Sequence, residues 1–160
     1  MEIIEGNIFD CNEDIIVHQT NCQGVMGHGI AKQVKDNYPE VYKGYYHYCK
    51  TTVPEEILGT SLIIEANNGK YIANLFGQLS YGEGLQTDYD KFKQALQEVH
   101  DFAKEKGLSV AIPYKIGCGL ANGDWNIVFD SICDVFSDDV PYNIYKYEIT
   151  SNKYEEKVNV

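Results

Sequence analysis

The sequence has no run of hydrophobic residues that approaches the roughly 18 to 20 needed to cross a membrane. Its first ten residues, MEIIEGNIFD, have an acidic residue at position 2 and no basic residue, so they do not have the form of a signal peptide. No C-x-x-C pair occurs among the five cysteines, and their number is odd. These absences predict free thiols, a cytoplasmic location and no association with membranes.

Basic residues are also scarce. Thirteen Lys and Arg stand against 24 Asp and Glu, which gives a formal net charge of −11. Such a charge works against binding to a nucleic-acid backbone or an anionic membrane. A phosphate on a smaller ligand would have to be held locally, by backbone N–H groups or a helix N-terminus.

The length of 160 residues and a hydrophobic content of 44% fit one globular domain. Strand-like and helical segments alternate along it, with an Asn68-Gly69 turn that predicts one antiparallel pair. Strands are predicted over 1–5, 15–19, 61–66, 70–76, 108–114 and 142–149, and helices from about 29, then over 39–49, 85–107 and 124–136. This order predicts an α/β domain over 1–149, with a mainly parallel sheet of about six strands between helices. Residues 150–160 are predicted to form a polar tail.

The helix predicted over 85–107 has recognisable ends. Thr87 and Asp90 have the spacing of an N-terminal capping box, and Gly107 suits the C-terminal cap.

Two loops that lead from a strand into a helix are rich in glycine. The first lies in NCQGVMGHGIAKQV (21–34) and the second in PYKIGCGLANGDW (113–125), with three glycines each. Ligands of α/β sheets bind at the carboxyl ends of strands, and glycines let a ligand approach backbone N–H groups. This favours a phosphate cradle, with plain tight turns as the alternative. Neither a P-loop nor a G-x-G-x-x-G motif after the first strand is present.

Four segments, in order, carry a family resemblance: EGNIFD, QTNCQGVMGHGIAKQV, IANLFGQ and IPYKIGCGLANGDWNIV. Over residues 1 to about 149 the sequence resembles the macrodomain family of ADP-ribose-binding modules. It is most similar to the branch that removes terminal ADP-ribose or processes ADP-ribose 1''-phosphate. The resemblance implies a three-layer α/β/α fold, with ADP-ribose lying across the top of the sheet between the two glycine loops. We expect ADP-ribose or an ADP-ribosylated substrate as partner, no cofactor, and a monomer.

The resemblance also implies a set of ligand-binding residues. Asn7 and Ile8 fall where the family contacts adenine, although the usual residue at position 7 is aspartate. Tyr147 would pack on adenine, or only against the sheet. Asn21 falls near the distal ribose. The two loops over the ribose and diphosphate would be formed by Gly27, His28, Gly29 and Ile30, and by Ile116, Gly117, Cys118, Gly119, Leu120 and Ala121.

One branch of the family attacks C1'' of the distal ribose with a lysine just after the fourth strand. This sequence has Gln78 there, so a covalent lysyl intermediate is not expected, and Gln78 is assigned to ligand binding. That branch also has an acid directly after the segment IGCGL, where this sequence has Ala121; the nearest acid is Asp124.

Two side chains are candidates for catalysis. Asp124 could orient or deprotonate the water that attacks C1'', and its alternative role is the N-cap of the following helix. His28 could donate a proton to a leaving oxygen, or be a surface histidine at a helix start. Cys22 lies near His18 and His28 in sequence, but the spacing of metal ligands is missing and no metal site is predicted.

Two functions remain open. The first is a hydrolase acting on ADP-ribose derivatives, which Asp124 and His28 favour. The second is a non-catalytic reader of ADP-ribose, which the missing lysine and Asn7 favour.

Overall fold

The computed structural model describes residues 1–137 and 139–147. Six strands form one sheet, in the order β1-β6-β5-β2-β4-β3. Only the β3–β4 pair is antiparallel among these strands; the other pairs are parallel. In chain order the elements are β1 (Ile3–Glu5), β2 (Ile15–Thr20), α1 (Gly29–Asn37), α2 (Pro39–Thr51), α3 (Pro54–Ile57), β3 (Ser61–Glu65), β4 (Tyr71–Phe76), α4 (Tyr89–Lys106), β5 (Val110–Pro113), α5 (Trp125–Val135) and β6 (Tyr142–Lys146), with a short 3₁₀ helix at Ile8–Asp10.

The central strand β2 is buried at all six positions because helices cover both faces of the sheet. Its side chains alternate between two hydrophobic cores: Ile16 packs on the α1 and α2 side, while Ile15 and Val17 pack on the α4 and α5 side. A strand buried on both faces is expected to be hydrophobic throughout, as its first three residues are. The predicted sheet between two layers of helices is therefore confirmed.

The turn between β3 and β4 is also as predicted. The Ala66 N–H donates to the Lys70 carbonyl at 2.7 Å, and Gly69 between them has φ of 88°. Such a positive φ suits glycine.

The helix α4 ends at Gly107, which has φ of 69° as its predicted cap position requires. The helix begins at Tyr89 rather than at position 85, and the predicted N-cap was wrong by one residue. Asp88 is the N-cap and accepts a hydrogen bond from the Lys91 N–H. Thr87 is not free to cap the helix, because its hydroxyl donates to the Gly117 carbonyl at 2.6 Å.

Two predictions extend beyond what is described. The strand expected over 142–149 is seen as Tyr142–Lys146, and positions 148 and 149 lie outside the described residues. The predicted tail over 150–160 lies outside them as well. Within 1–137 and 139–147, no helix combines the length and the apolar character that crossing a membrane requires.

Candidate functional site

A cavity of about 530 Å³ opens at the carboxyl ends of β2 and β4. Four segments line it: the end of β2 (19–21), the first glycine loop and the start of α1 (25–31), the loop after β4 (78–86) and the second glycine loop (119–122). This is the edge of the sheet where α/β proteins bind ligands. Seven of the predicted site residues line the cavity, namely Asn21, Gly27, His28, Gln78, Gly119, Leu120 and Ala121.

A second, much smaller concavity lies at the carboxyl ends of β5 and β6. The three residues predicted to meet adenine, Asn7, Ile8 and Tyr147, come together there. Ile30, which was predicted to cover the distal ribose, lines this concavity rather than the larger cavity. In the sheet, β6 and β4 are three strand spacings apart, or about 14 Å. This spacing suits the two ends of one elongated ligand, but the second concavity measures only about 10 Å³ and does not enclose an adenine as it stands.

The start of α1 faces the larger cavity. His28 is its N-cap residue, makes no side-chain capping bond and is an exposed residue of the cavity lining. The first N–H groups of a helix have no partner within it and carry a partial positive charge, which favours a phosphate. A Cβ added at Gly27 would meet only Val25 Cγ1, at 3.8 Å. The protein itself therefore does not demand glycine at position 27, whereas a ligand approaching the backbone would.

In the second glycine loop, two of the glycines are required by the conformation of the loop itself. The Gly123 N–H donates to the Gly117 carbonyl at 2.9 Å, and a Cβ on Gly123 would lie only 2.5 Å from that oxygen. Gly117 has φ of 73° and lies against the side chains of Gln19 and Thr87. Gly117 and Gly123 thus close the loop on itself, and Gly119 is the glycine of this loop that lines the cavity.

The floor of the cavity is a buried polar network that the sequence analysis missed. Gln19 Nε2 donates to Gln78 Oε1 and to Thr87 Oγ1, both at 2.9 Å. Gln78 Nε2 in turn donates to the Ser80 carbonyl. The Thr87 hydroxyl in turn donates to the Gly117 carbonyl. The network joins the ends of β2 and β4 to the second glycine loop and fixes the amide of Gln78.

Asn21 lines the cavity, but its amide also shapes the first loop. Its Nδ2 donates to the Val25 carbonyl at 2.8 Å. Its Oδ1 accepts from the Gln23 N–H at 2.9 Å and from the Tyr45 hydroxyl at 3.0 Å. The predicted contact of Asn21 with a ribose stays a prediction.

Asp124 lies outside the lining of both concavities. Its exposed carboxylate accepts from the Asn126 N–H at 2.9 Å as the N-cap of α5. Its own N–H donates to the Tyr89 hydroxyl at 2.9 Å. The structure thus gives Asp124 the capping role, and its catalytic role stays a prediction.

Four other predicted contacts, Gly29, Ile116, Gly117 and Cys118, are not among the lining residues either. Gly29 is buried at the first position of α1. Ile116 is fully buried in the core beneath the second loop. Burial, with the nearby Asp124 carboxylate, raises the pKa of the Cys118 thiol to about 11, so this thiol is neutral at pH 7.

The loop after β4 is a part of the site that sequence reasoning did not single out. It contributes Tyr81, Gly82, Glu83, Gly84 and Gln86 to the cavity. Gly82 and Gly84 have φ of 121° and 83°, and a Cβ on either would meet nothing within 4 Å. The segment YGEG, with two glycines around one acid, was the pattern that could have revealed it.

The histidine and cysteine near the first loop do not form a reactive pair. His18 is fully buried on β2, where its Nε2 lies 2.6 Å from Asn74 Oδ1, and burial lowers its pKa to about 4. Burial, together with the nearby Cys49, raises the pKa of the Cys22 thiol to about 12. Both groups are therefore uncharged at pH 7. In the described part of the chain, no three His, Cys, Asp or Glu side chains are grouped as metal ligands would be.

The family model described as Macro domain matches residues 17–132, which is more than half of the chain. The chain is a macrodomain. This macrodomain is 35% identical over 153 residues to the ADP-ribose 1''-phosphate phosphatase of Scheffersomyces stipitis, an alignment that covers 82% of this chain and 87% of the relative. It is 28% identical over 135 residues to the DNA ADP-ribosyl glycohydrolase of Mycobacterium tuberculosis, with 82% of this chain covered. The macrodomain spans only 37% of that second relative's length.

Among solved structures, the macrodomain of Mycobacterium tuberculosis DarG superposes with a TM-score of 0.79 at 27% identity. That superposition covers 91% of this macrodomain and 97% of the DarG chain. The predicted family and the predicted α/β/α fold are therefore both confirmed.

Proposed function

We propose that this macrodomain binds ADP-ribose across the carboxyl edge of its sheet and hydrolyses ADP-ribose derivatives at the distal ribose. The observation that carries the proposal is the pair of concavities along this edge of the sheet. Asn7, Ile8 and Tyr147 lie at one end, where adenine is expected, and the larger cavity with His28 lies at the other. The relatives named ADP-ribose 1''-phosphate phosphatase and DNA ADP-ribosyl glycohydrolase support a hydrolase.

The diphosphate would be held by backbone rather than by basic side chains. The start of α1 and Gly119 of the second loop both border the cavity. Among the lining residues that the structure describes there is no Lys or Arg. Backbone N–H groups at a helix start are a sufficient anion site, since they combine donors with the helix dipole.

At the reacting end, the geometry of Gln78 supports attack by water. Both ends of its amide are engaged by the protein, through Gln19 and the Ser80 carbonyl, and an amide is not a nucleophile. In the proposed reaction a water oxygen bonds to C1'' while the bond from C1'' to the acceptor oxygen breaks. The water loses a proton to a base, and the acceptor leaves with the electron pair of the broken bond. We propose Asp124 as the base and His28 as the donor to the leaving oxygen.

A non-catalytic reader is the second candidate, and one observation favours it. The Asp124 carboxylate already caps α5 and is directed at the Asn126 N–H rather than placed in the cavity lining. A reader would bind ADP-ribose through the same cleft and release nothing.

We also propose that the protein acts as a monomer in the cytoplasm and does not bind nucleic-acid backbones. All five cysteines are free thiols, as a reducing compartment requires, and the net charge is −11. Size-exclusion chromatography with light scattering tests the monomer, and a gel-shift assay tests nucleic-acid binding.

The test is incubation of the protein with a glutamate-ADP-ribosylated protein and, separately, with ADP-ribose 1''-phosphate. Released ADP-ribose is measured by chromatography, and binding of ADP-ribose itself by calorimetry. The Gly119→Glu variant places a carboxylate in the cavity, so it should lose both binding and turnover while thermal unfolding shows that it remains folded. Binding without release from either substrate would establish the reader, and absence of binding would refute both candidates.

A further inference from the structure

Glu83 stands out among the charged groups of the site. Of the lining residues that the structure describes, it alone carries a carboxylate, and none carries an amine or guanidinium. The whole chain is acidic as well, with a net charge of −11. Within the described cavity lining, only the His28 imidazole and the start of α1 carry positive character that could offset the Glu83 carboxylate.

The loop that carries Glu83 is tied to the site at its base. The Gln86 side chain donates to the Glu83 carbonyl at 2.9 Å, and the Gln86 N–H donates to the Ala121 carbonyl at 2.9 Å. On either side of Glu83, Gly82 and Gly84 adopt positive φ on an exposed turn, and a Cβ on either glycine would meet nothing within 4 Å. Glu83 is thus an exposed residue of the cavity lining, on a loop anchored to the second glycine loop through Gln86.

The position of the loop identifies which part of a substrate Glu83 meets. The loop follows β4, while the concavity assigned to adenine lies at the ends of β5 and β6. Glu83 is therefore at the opposite end of the cleft, where the group attached to the distal ribose would leave the cavity. Tyr81 and Leu120 line the same cavity and are 57% and 53% exposed, so they offer apolar contact surface to that group.

We propose that Glu83 determines acceptor specificity: it makes this macrodomain prefer ADP-ribose attached to a peptide segment that carries lysine or arginine. The proposal rests on the hydrolase function proposed above. A cationic segment is attracted to the carboxylate as it enters the cleft, whereas a phosphate, an acidic peptide or a nucleic-acid strand is repelled. Tyr81 and Leu120 would contact the apolar parts of the same peptide.

The experiment uses two peptides that each carry one ADP-ribosyl ester on glutamate, flanked in one by lysines and in the other by acidic residues. The measured quantity is the ratio of kcat/KM for the basic peptide to that for the acidic one. In the wild type this ratio should exceed one and fall as salt is added. Glu83→Gln should lower it by about two- to fivefold, the range for a partly exposed ion pair. Glu83→Lys should lower it further and below one.

Glu105→Lys is the matched control, because it makes the same charge change at an exposed position near the carboxyl end of α4. It should leave the ratio within error of the wild type. An equal change in both variants would mean that only net charge matters, and an unchanged ratio in Glu83→Lys would mean that Glu83 faces no part of the acceptor; either result overturns the proposal. So would faster turnover of ADP-ribose 1''-phosphate than of the basic peptide by the wild type. Lack of turnover on every substrate would instead refute the hydrolase itself.

Discussion

Two glycine-to-alanine substitutions should affect different properties: Gly123→Ala should lower stability, because the fold requires that glycine, and Gly27→Ala should lower affinity, because the ligand requires that one. In Gly123→Ala the new Cβ would lie 2.5 Å from the Gly117 carbonyl oxygen. The backbone cannot move to relieve that contact without breaking the 2.9 Å hydrogen bond between the Gly123 N–H and the Gly117 carbonyl. The lost bond costs about 1 kcal/mol and the steric strain about 1 to 3 kcal/mol. We expect a loss of about 2 to 4 kcal/mol, or about 5 to 15 °C in Tm.

Gly27→Ala should leave stability within about 0.5 kcal/mol of the wild type, since the added Cβ meets only Val25 Cγ1 at an ordinary 3.8 Å. The methyl group would instead stand at the cavity, next to the start of α1. There it should keep the diphosphate from the backbone N–H groups and weaken ADP-ribose binding by about tenfold, or about 1.4 kcal/mol.

Urea unfolding measures the stability of both variants, and calorimetry measures their affinity for ADP-ribose. A Gly27→Ala variant that binds as tightly as the wild type would remove the first loop from the proposed phosphate cradle. A Gly123→Ala variant with unchanged stability would refute the argument that backbone contact with Gly117 demands glycine.

Two further predictions concern Asp124 and His18. Asp124→Ala should lose about 1 kcal/mol of stability because the helix cap is removed, and Asp124→Asn should regain it. If Asp124 is also the base, both variants should turn over about 100- to 10,000-fold more slowly. Full activity of Asp124→Asn would mean that Asp124 serves only as a cap. His18 takes up its proton near pH 4 in the folded state but near pH 6.5 when unfolded, so its stabilising contribution is present above about pH 6.5 and is lost as the pH falls toward 4. That loss of stability should approach about 3 kcal/mol, and it should be absent from His18→Gln. Urea unfolding at several pH values measures it. Equal pH dependence of the two proteins would contradict the lowered pKa of His18.

The fold was predictable because its main elements follow local rules. The hydrophobic run of β2, the Asn68-Gly69 turn and the Gly107 cap each depend on residues close in sequence, and all three are present. Thr87 failed for the opposite reason. Its local spacing fits a helix cap, but its hydroxyl is bonded to Gly117, thirty positions away in the chain.

The site was predictable in part. The glycine loops were found because their composition is unusual at a strand-to-helix junction. The role of Gln19 was not predicted, because nothing in the sequence near this glutamine indicates its hydrogen bonds to Gln78 and Thr87. The loop around Glu83 was not predicted, because two glycines in a short polar segment are equally typical of an ordinary exposed turn.

The hydrogen bonds of Gln19 also affect how the protein is made. They join segments separated by 59 and 68 residues, and contacts so distant in sequence carry a large cost in chain entropy before they form. The floor of the cleft is thus completed only after β2, β4 and the second glycine loop have assembled. A nascent chain on the ribosome cannot hold a nucleotide there until synthesis has passed Gly117, about three quarters of the way along the 160 residues.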